Sequence, residues 1–214
     1  MTQFALAFLD CEFGGLDPDL HDITEIGVIV TDYRLAELAS REWKVLARPE
    51  RITKEAAAIF GYDPERWARD GVSIRQALTE LRDLLPAGYT VIPAGQNVRM
   101  DVLFLERAYK ACELPSPFDY HVIDLATLFY AWSLVAGEPV AALSLRQAAT
   151  HAGLARSGEA HHALEDARLT LETFRHFIGR LALRREPEPE PTPVPQPAAG
   201  AAAPDGGALG EPGA

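Results

Sequence analysis

From Phe4 to Leu9 every residue is apolar (FALAFL), and the run stops on Asp10. A short uninterrupted apolar run of this kind fits a strand covered on both faces. Ile23–Thr31 (ITEIGVIVT) is rich in β-branched residues and predicts a second strand, and the alternating Arg41–Leu46 (REWKVL) predicts a third. The turn-prone stretches Phe13–Pro18 and Thr31–Tyr33 separate them. The period then changes. Ile74, Ala77, Leu78, Leu81 and Leu85 recur at helical spacing behind Ser73, a suitable N-cap. Tyr89–Ala94 predicts another strand. Asp101–Cys112 predicts a helix with Val102, Leu105, Ala108 and Tyr109 along one side. Val122–Asp124 reads as a strand end, and 124–136, 144–152 and 163–183 as helices. Three strands in succession, then helices alternating with strands, imply a mixed α/β sheet flanked by helices. The first three strands would pair as a meander, and the later one would be reached by a helical crossover.

Composition divides the chain near Arg185. Residues 186–214 hold eight of the sixteen prolines, five glycines and five acids, with no Lys, Arg or aromatic residue. Such a segment buries too little surface to offset its ordering entropy, so it is expected to be a disordered Pro/Ala/Gly/Glu-rich tail behind one domain, 1–185. Without its five acids the net charge of −11 falls to −6. An acidic body disfavours a broad basic surface for long nucleic acid. The sequence contains no apolar run long enough to span a membrane, and Met1–Phe4 lacks the basic residues that open a leader peptide. A cytoplasmic protein without membrane attachment is expected. Cys11 and Cys112 form no C-x-x-C pair and are expected as small buried thiols.

Three acidic clusters change the picture. Asp10 and Glu12 end the first strand, and residues i and i+2 share a strand face. Two carboxylates at the mouth of a buried strand repel unless a cation lies between them, and hard divalent cations prefer carboxylate oxygen. Two solvated acids at a strand end would read the same way. Asp101 falls in the first turn of its predicted helix, where an acid also complements the helix dipole. Asp166 lies within His161-His162-Ala163-Leu164-Glu165-Asp166, with Glu159 and Glu165 nearby as expected solvated neighbours. If the helix already includes residue 161, His162 at i,i+4 shares the face of Asp166.

Taken together, Asp10-x-Glu12, Asn97-x-x-x-Asp101 and His161-x-x-x-x-Asp166, in this order, resemble the DEDDh 3′→5′ exonucleases, over roughly residues 4–181. That group includes proofreading exonucleases, ribonuclease T and oligoribonuclease. The resemblance implies a ribonuclease-H-like mixed five-stranded sheet with the acids at one edge. It implies that Asp10, Glu12, Asp101 and Asp166 hold two Mg²⁺ or Mn²⁺ ions. It further implies hydrolysis of single-stranded DNA or RNA from the 3′ end, releasing nucleoside 5′-monophosphates. The family histidine stands five residues before the last acid, and an alanine follows it by two. Those positions are His161 and Ala163, so the resemblance assigns the general base to His161 over His162. A neutral imidazole is suited to taking a proton from water.

The match has departures. The family continues its first motif with a hydroxyl residue and glycine, where this chain has Phe13-Gly14-Gly15-Leu16. Gly14 and Gly15 are expected to present amides to the terminal nucleotide, and Phe13 to stack on a base or to serve as a core or lid aromatic. The second motif keeps Asn97 and Asp101, with Gln96 and Met100 replacing His and Phe. Phe13, Gly14, Gly15, Leu16 and Asn97 are therefore the candidate substrate residues. Asp124 is expected to cap a helix, and Trp43, Trp67 and Trp132 to be core or lid residues rather than base platforms. The spacing around Asp124 is slightly nearer the proofreading and ribonuclease T branch. The competing reading is a degenerate nuclease fold that binds nucleic acid or is tethered to a polymerase-type partner. The tail would tether a protein partner or simply aid solubility.

Overall fold

The computed structural model describes residues 3–155 and 162–183. These fall within one compact unit, Met1–Arg184. The expected tail, 186–214, lies outside the described residues, as does His161.

Five strands, β1 (Gln3–Phe13), β2 (Ile23–Asp32), β3 (Glu37–Lys44), β4 (Tyr89–Gly95) and β5 (Ile123–Asp124), form one sheet in the order β3-β2-β1-β4-β5. β1, β2 and β3 pair antiparallel, and β4 joins β1 in parallel. This is the expected meander plus crossover. β3 begins four residues before the predicted Arg41 and ends short of Leu46.

Among the described residues seven α-helices occur, in chain order α1 (Lys54–Phe60), α2 (Pro64–Asp70), α3 (Ile74–Leu84), α4 (Arg99–Ala111), α5 (Leu125–Ala136), α6 (Leu145–Ala152) and α7 (Ala163–Leu183). Their starts are chemically marked. Ser73, Asp124 and Ser144 each accept a backbone N–H of the first turn of α3, α5 and α6. α1 and α2 were not expected from periodicity, since each has only seven residues. They carry caps nonetheless, at Thr53 and at Asp63 ahead of Pro64.

β1 divides the core. Ala5, Ala7, Leu9 and Cys11 face one cluster with Leu78, Leu81, Phe104 and Leu105 from α3 and α4. Leu6 and Phe8 face the other, with Phe129, Trp132, Phe174 and Phe177 from α5 and α7. Burial on both faces is why the FALAFL run lacks alternation. Trp43, Trp67 and Trp132 are all buried, as are both thiols. No described helix is long and apolar enough to cross a membrane.

Candidate active site

The even-numbered face of β1 runs Leu6, Phe8, Asp10, Glu12, so two acids continue an apolar face towards the start of α7. There Asp166 meets them. Carboxylate oxygens of Asp10, Glu12 and Asp166 all lie within 4.8 Å of one another, and Asp166 is only 5% exposed. Three like charges at this spacing, one of them buried, favour a bound cation, and an all-oxygen donor set suits a hard divalent ion. The residues fit the metal that the family resemblance implies.

Asp101 arrives from the opposite side of the sheet, in the first turn of α4. It stands outside the three-acid group, and its Oδ1 accepts the Cys11 backbone N–H at 2.8 Å, between Asp10 and Glu12. It is 5% exposed. Burial pushes its carboxyl up to about 7, against the opposing Cys11 hydrogen bond. The start of α4 is fixed by Asp124, whose Oδ2 accepts Val98 N–H while Oδ1 caps α5 at Ala126. The cap reading of Asp124 holds, and the residue serves two helices. Asn97, one residue earlier, is exposed and has φ 54°, a left-handed conformation that asparagine tolerates.

α7 begins at Ala163, and Asp166 N–H donates to the His162 carbonyl at 3.0 Å. His162 thus stands at the N-cap position of α7, immediately before its first helical residue. Its Nδ1 lies 3.9 Å from Glu25 Oε1. Glu165 is half-buried rather than solvated, and its Oε2 has no hydrogen-bond partner among the described residues.

Sequence reasoning missed Glu25. It is buried in β2, directly opposite Glu12 in the register. Its Oε2 pairs with Lys44 Nζ at 3.0 Å, and its Oε1 accepts Ala163 N–H at 3.0 Å. Burial and neighbouring Glu42 raise its carboxyl, with Lys44 opposing. The signal was a lone acid inside a β-branched run.

A cavity of about 480 Å³ opens beside Glu12, lined in part by Phe13, Leu16, His21, Ile59 and Phe60. Phe13 stacks on Phe104 with ring centroids 4.0 Å apart and packs against the core, so one ring face is taken. Gly15 lines the cavity, closely backed by the His21 ring, and Leu16 is exposed. Gly14 corrects an expectation. Its N–H donates to the Asp22 carbonyl at 2.8 Å and its carbonyl accepts Thr53 N–H at 2.7 Å, so that amide is committed to the turn. Three arginines close to this turn are paired as well. Arg48 and Arg51 both pair with Asp22, and Arg107 pairs with Asp19. Burial would raise the Asp22 carboxyl, but the Arg48 hydrogen bonds hold it below its ordinary value.

Comparison with known proteins bears on the family and the fold. The exonuclease family model RNase_T matches residues 7–174. The oligoribonuclease of Vibrio vulnificus is 32% identical over 136 residues, covering 58% of this chain and 72% of the relative. That of Pseudomonas putida is 28% identical over 183 residues, covering 80% and 93%. Among solved structures, the zinc-bound E. coli exonuclease I–single-stranded DNA complex superimposes with a TM-score of 0.68 at 18% identity, over 86% of this chain. Exonuclease I from Methylocaldum szegediense gives 0.61 at 21% identity, over 88%. The chain spans less than half of either solved chain, 42% in each case.

Proposed function

Because the chain belongs to the exonuclease family and is a 3′→5′ exonuclease of single-stranded nucleic acid, we propose that its chemistry runs on divalent metal held by Asp10, Glu12 and Asp166, with Asp101 completing the set. The observation that carries this reading is the convergence of three carboxylates within 4.8 Å at the mouth of a buried strand. Two ions, Mg²⁺ or Mn²⁺, are the reading's finer form. When bound, such ions lower the pKa of water and offset phosphate charge. That also answers the acidic net charge, since a loaded site attracts phosphate.

The chain's own residues do the remainder. His161 takes the proton from the attacking water, on the family spacing alone. The cavity beside Glu12 seats the terminal nucleotide, its volume falling in the roughly 300–1,000 Å³ range of ligand pockets. Phe13, Gly15 and Leu16 line that seat. Asn97 holds the turn ahead of α4, and a direct contact from its side chain to substrate is the finer claim. Products are nucleoside 5′-monophosphates. The reading includes a cytoplasmic setting, and it leaves residues 186–214 as a tail, which a protein partner could use as a tether.

The test uses 5′-labelled single-stranded DNA and RNA in Mg²⁺ or Mn²⁺, beside Asp10→Ala, His161→Ala and His162→Ala. A ladder shortening from the 3′ end, lost with Asp10→Ala and His161→Ala but kept with His162→Ala, is expected. Wild-type activity in Asp10→Ala sinks the metal assignment. The named relatives are oligoribonucleases and a structure bound to single-stranded DNA, so both substrates are needed.

A further inference from the structure

We propose that Glu25 is a positioning residue for the metal-holding acids: its carboxylate, backed by Lys44, pins the first turn of α7 to the sheet and so sets where Asp166 stands. The proposal rests on the metal reading above for what those acids hold.

The geometry comes from two adjacent cross-strand rows. Asp10, Gly27 and Glu42 face one another across β1, β2 and β3, and Glu12, Glu25 and Lys44 form the next row on that face. The first amides of a helix have no partner inside it and are usually capped by a preceding side chain. At α7 two sheet carboxylates accept first-turn amides. Glu25 Oε1 accepts Ala163 N–H at 3.0 Å, and Glu42 Oε1 accepts Leu164 N–H at 3.3 Å. Asp166 lies in the same turn, its own N–H closing onto His162.

A carboxylate as buried as Glu25 needs compensation. Lys44 supplies it at 3.0 Å from a side chain only 9% exposed. Lys44 in turn sits 4.6 Å from the centre of the Trp67 ring, and Trp67 Nε1 donates to the Thr24 carbonyl at 2.7 Å. The short helix α2, which carries Trp67, thereby braces the clamp. The rest of α7 is anchored independently by buried Leu171, Phe174 and Phe177. Loss of the clamp should therefore loosen the turn that carries Asp166 and leave the helix docked.

Three proteins test this by Mn²⁺ binding, read by electron paramagnetic resonance and calorimetry. Glu25→Met with Lys44→Met replaces the ion pair by apolar side chains of similar size. Glu25→Gln with Lys44→Met keeps the acceptor for Ala163. The Met/Met protein should bind Mn²⁺ about 10–100-fold more weakly, in line with the loss of a group supporting a ligand. The Gln/Met protein should stay within about threefold of wild type. Equal affinity in all three, or equal loss in both variants, overturns the proposal. Hydrogen exchange on the metal-free wild type gives a second reading that needs no variant: the Ala163 and Leu164 amides should be protected, and rapid exchange there overturns the clamp. A wild type that binds Mn²⁺ but cleaves neither labelled DNA nor RNA defeats the exonuclease reading and leaves the clamp standing. A wild type that binds no Mn²⁺ defeats both.

Discussion

Gly27 lies against Ala163: a β-carbon built on Gly27 would fall 2.3 Å from the Ala163 carbonyl carbon. Gly27 is also the register partner of Asp10. The missing side chain on β2 is what lets the start of α7, and hence Asp166, come down beside the acids of β1. Gly27→Ala should push the helix start outward, since the obstacle is backbone on both sides. A stability loss of about 1–3 kcal/mol is expected from overpacking. Mn²⁺ affinity should fall more steeply than melting temperature, because the distal half of α7 keeps its packing. Calorimetric binding measured beside thermal melting checks the pair, and unchanged Mn²⁺ affinity contradicts the account.

The same contact marks where sequence reading stops. β1 and β2 were legible because Phe4–Leu9 and Ile23–Thr31 are apolar or β-branched, and α3, α5 and α6 because Ser73, Asp124 and Ser144 stand at their starts. Asp10 and Glu12 were legible because strand period alone puts them on one face. Gly27 and Glu25 were not. Their meaning comes from a helix about 138 positions later, and no local period encodes it. Gly14 failed for a similar reason. Its amide looked available until the Asp22 carbonyl was brought across the turn. α1 and α2 were missed because seven residues give under two turns of periodicity, although Thr53, Gly61, Asp63 and Pro64 are cap signals that were there to be read.

Asp124 ties two helices with one carboxylate. Asp124→Ala removes the α5 cap and the acceptor for Val98, and each is worth about 1 kcal/mol. A loss of roughly 2 kcal/mol in chemical denaturation is expected. Asp124→Asn keeps one acceptor and should lose about half as much. Because Val98 precedes the α4 turn that holds Asp101, activity should drop with both variants, and more with alanine.

The three converging acids should make the fold metal-responsive. An ion that binds only the native state adds about 2.7 kcal/mol at a hundred times its dissociation constant. For a chain of this size that is a rise of about 5–10 °C in melting temperature. Mg²⁺ or Mn²⁺ should produce it in wild type, and a chelator should reverse it. Asp10→Asn should melt higher than wild type without metal, since one of three repelling charges is gone, and should respond weakly to metal. An equal metal response in both proteins contradicts the site.

Asp101 gives the pH prediction. Its folded carboxyl titrates at about 7, well above the ordinary value of 3.8, because it is buried. The folded state therefore keeps a proton that the unfolded state has released between about pH 4 and 7. Over that window the metal-free fold loses stability as pH rises, and the loss is complete above about pH 7. A carboxyl raised this far costs the ionised fold about 4 kcal/mol at most, and 1–3 kcal/mol is the expected size with relaxation around the group. Asp101→Asn keeps an oxygen to accept Cys11 N–H and cannot ionise. It should melt above wild type at pH 8 without metal and match it near pH 4, so the difference between the two proteins isolates this group from the other acids. Activity in the variant should fall at least 100-fold, more than the roughly 10–100-fold cost of losing a residue that only supports a ligand. A melting difference that is flat across pH 4–8 would show that the carboxyl titrates normally and that its burial carries no cost.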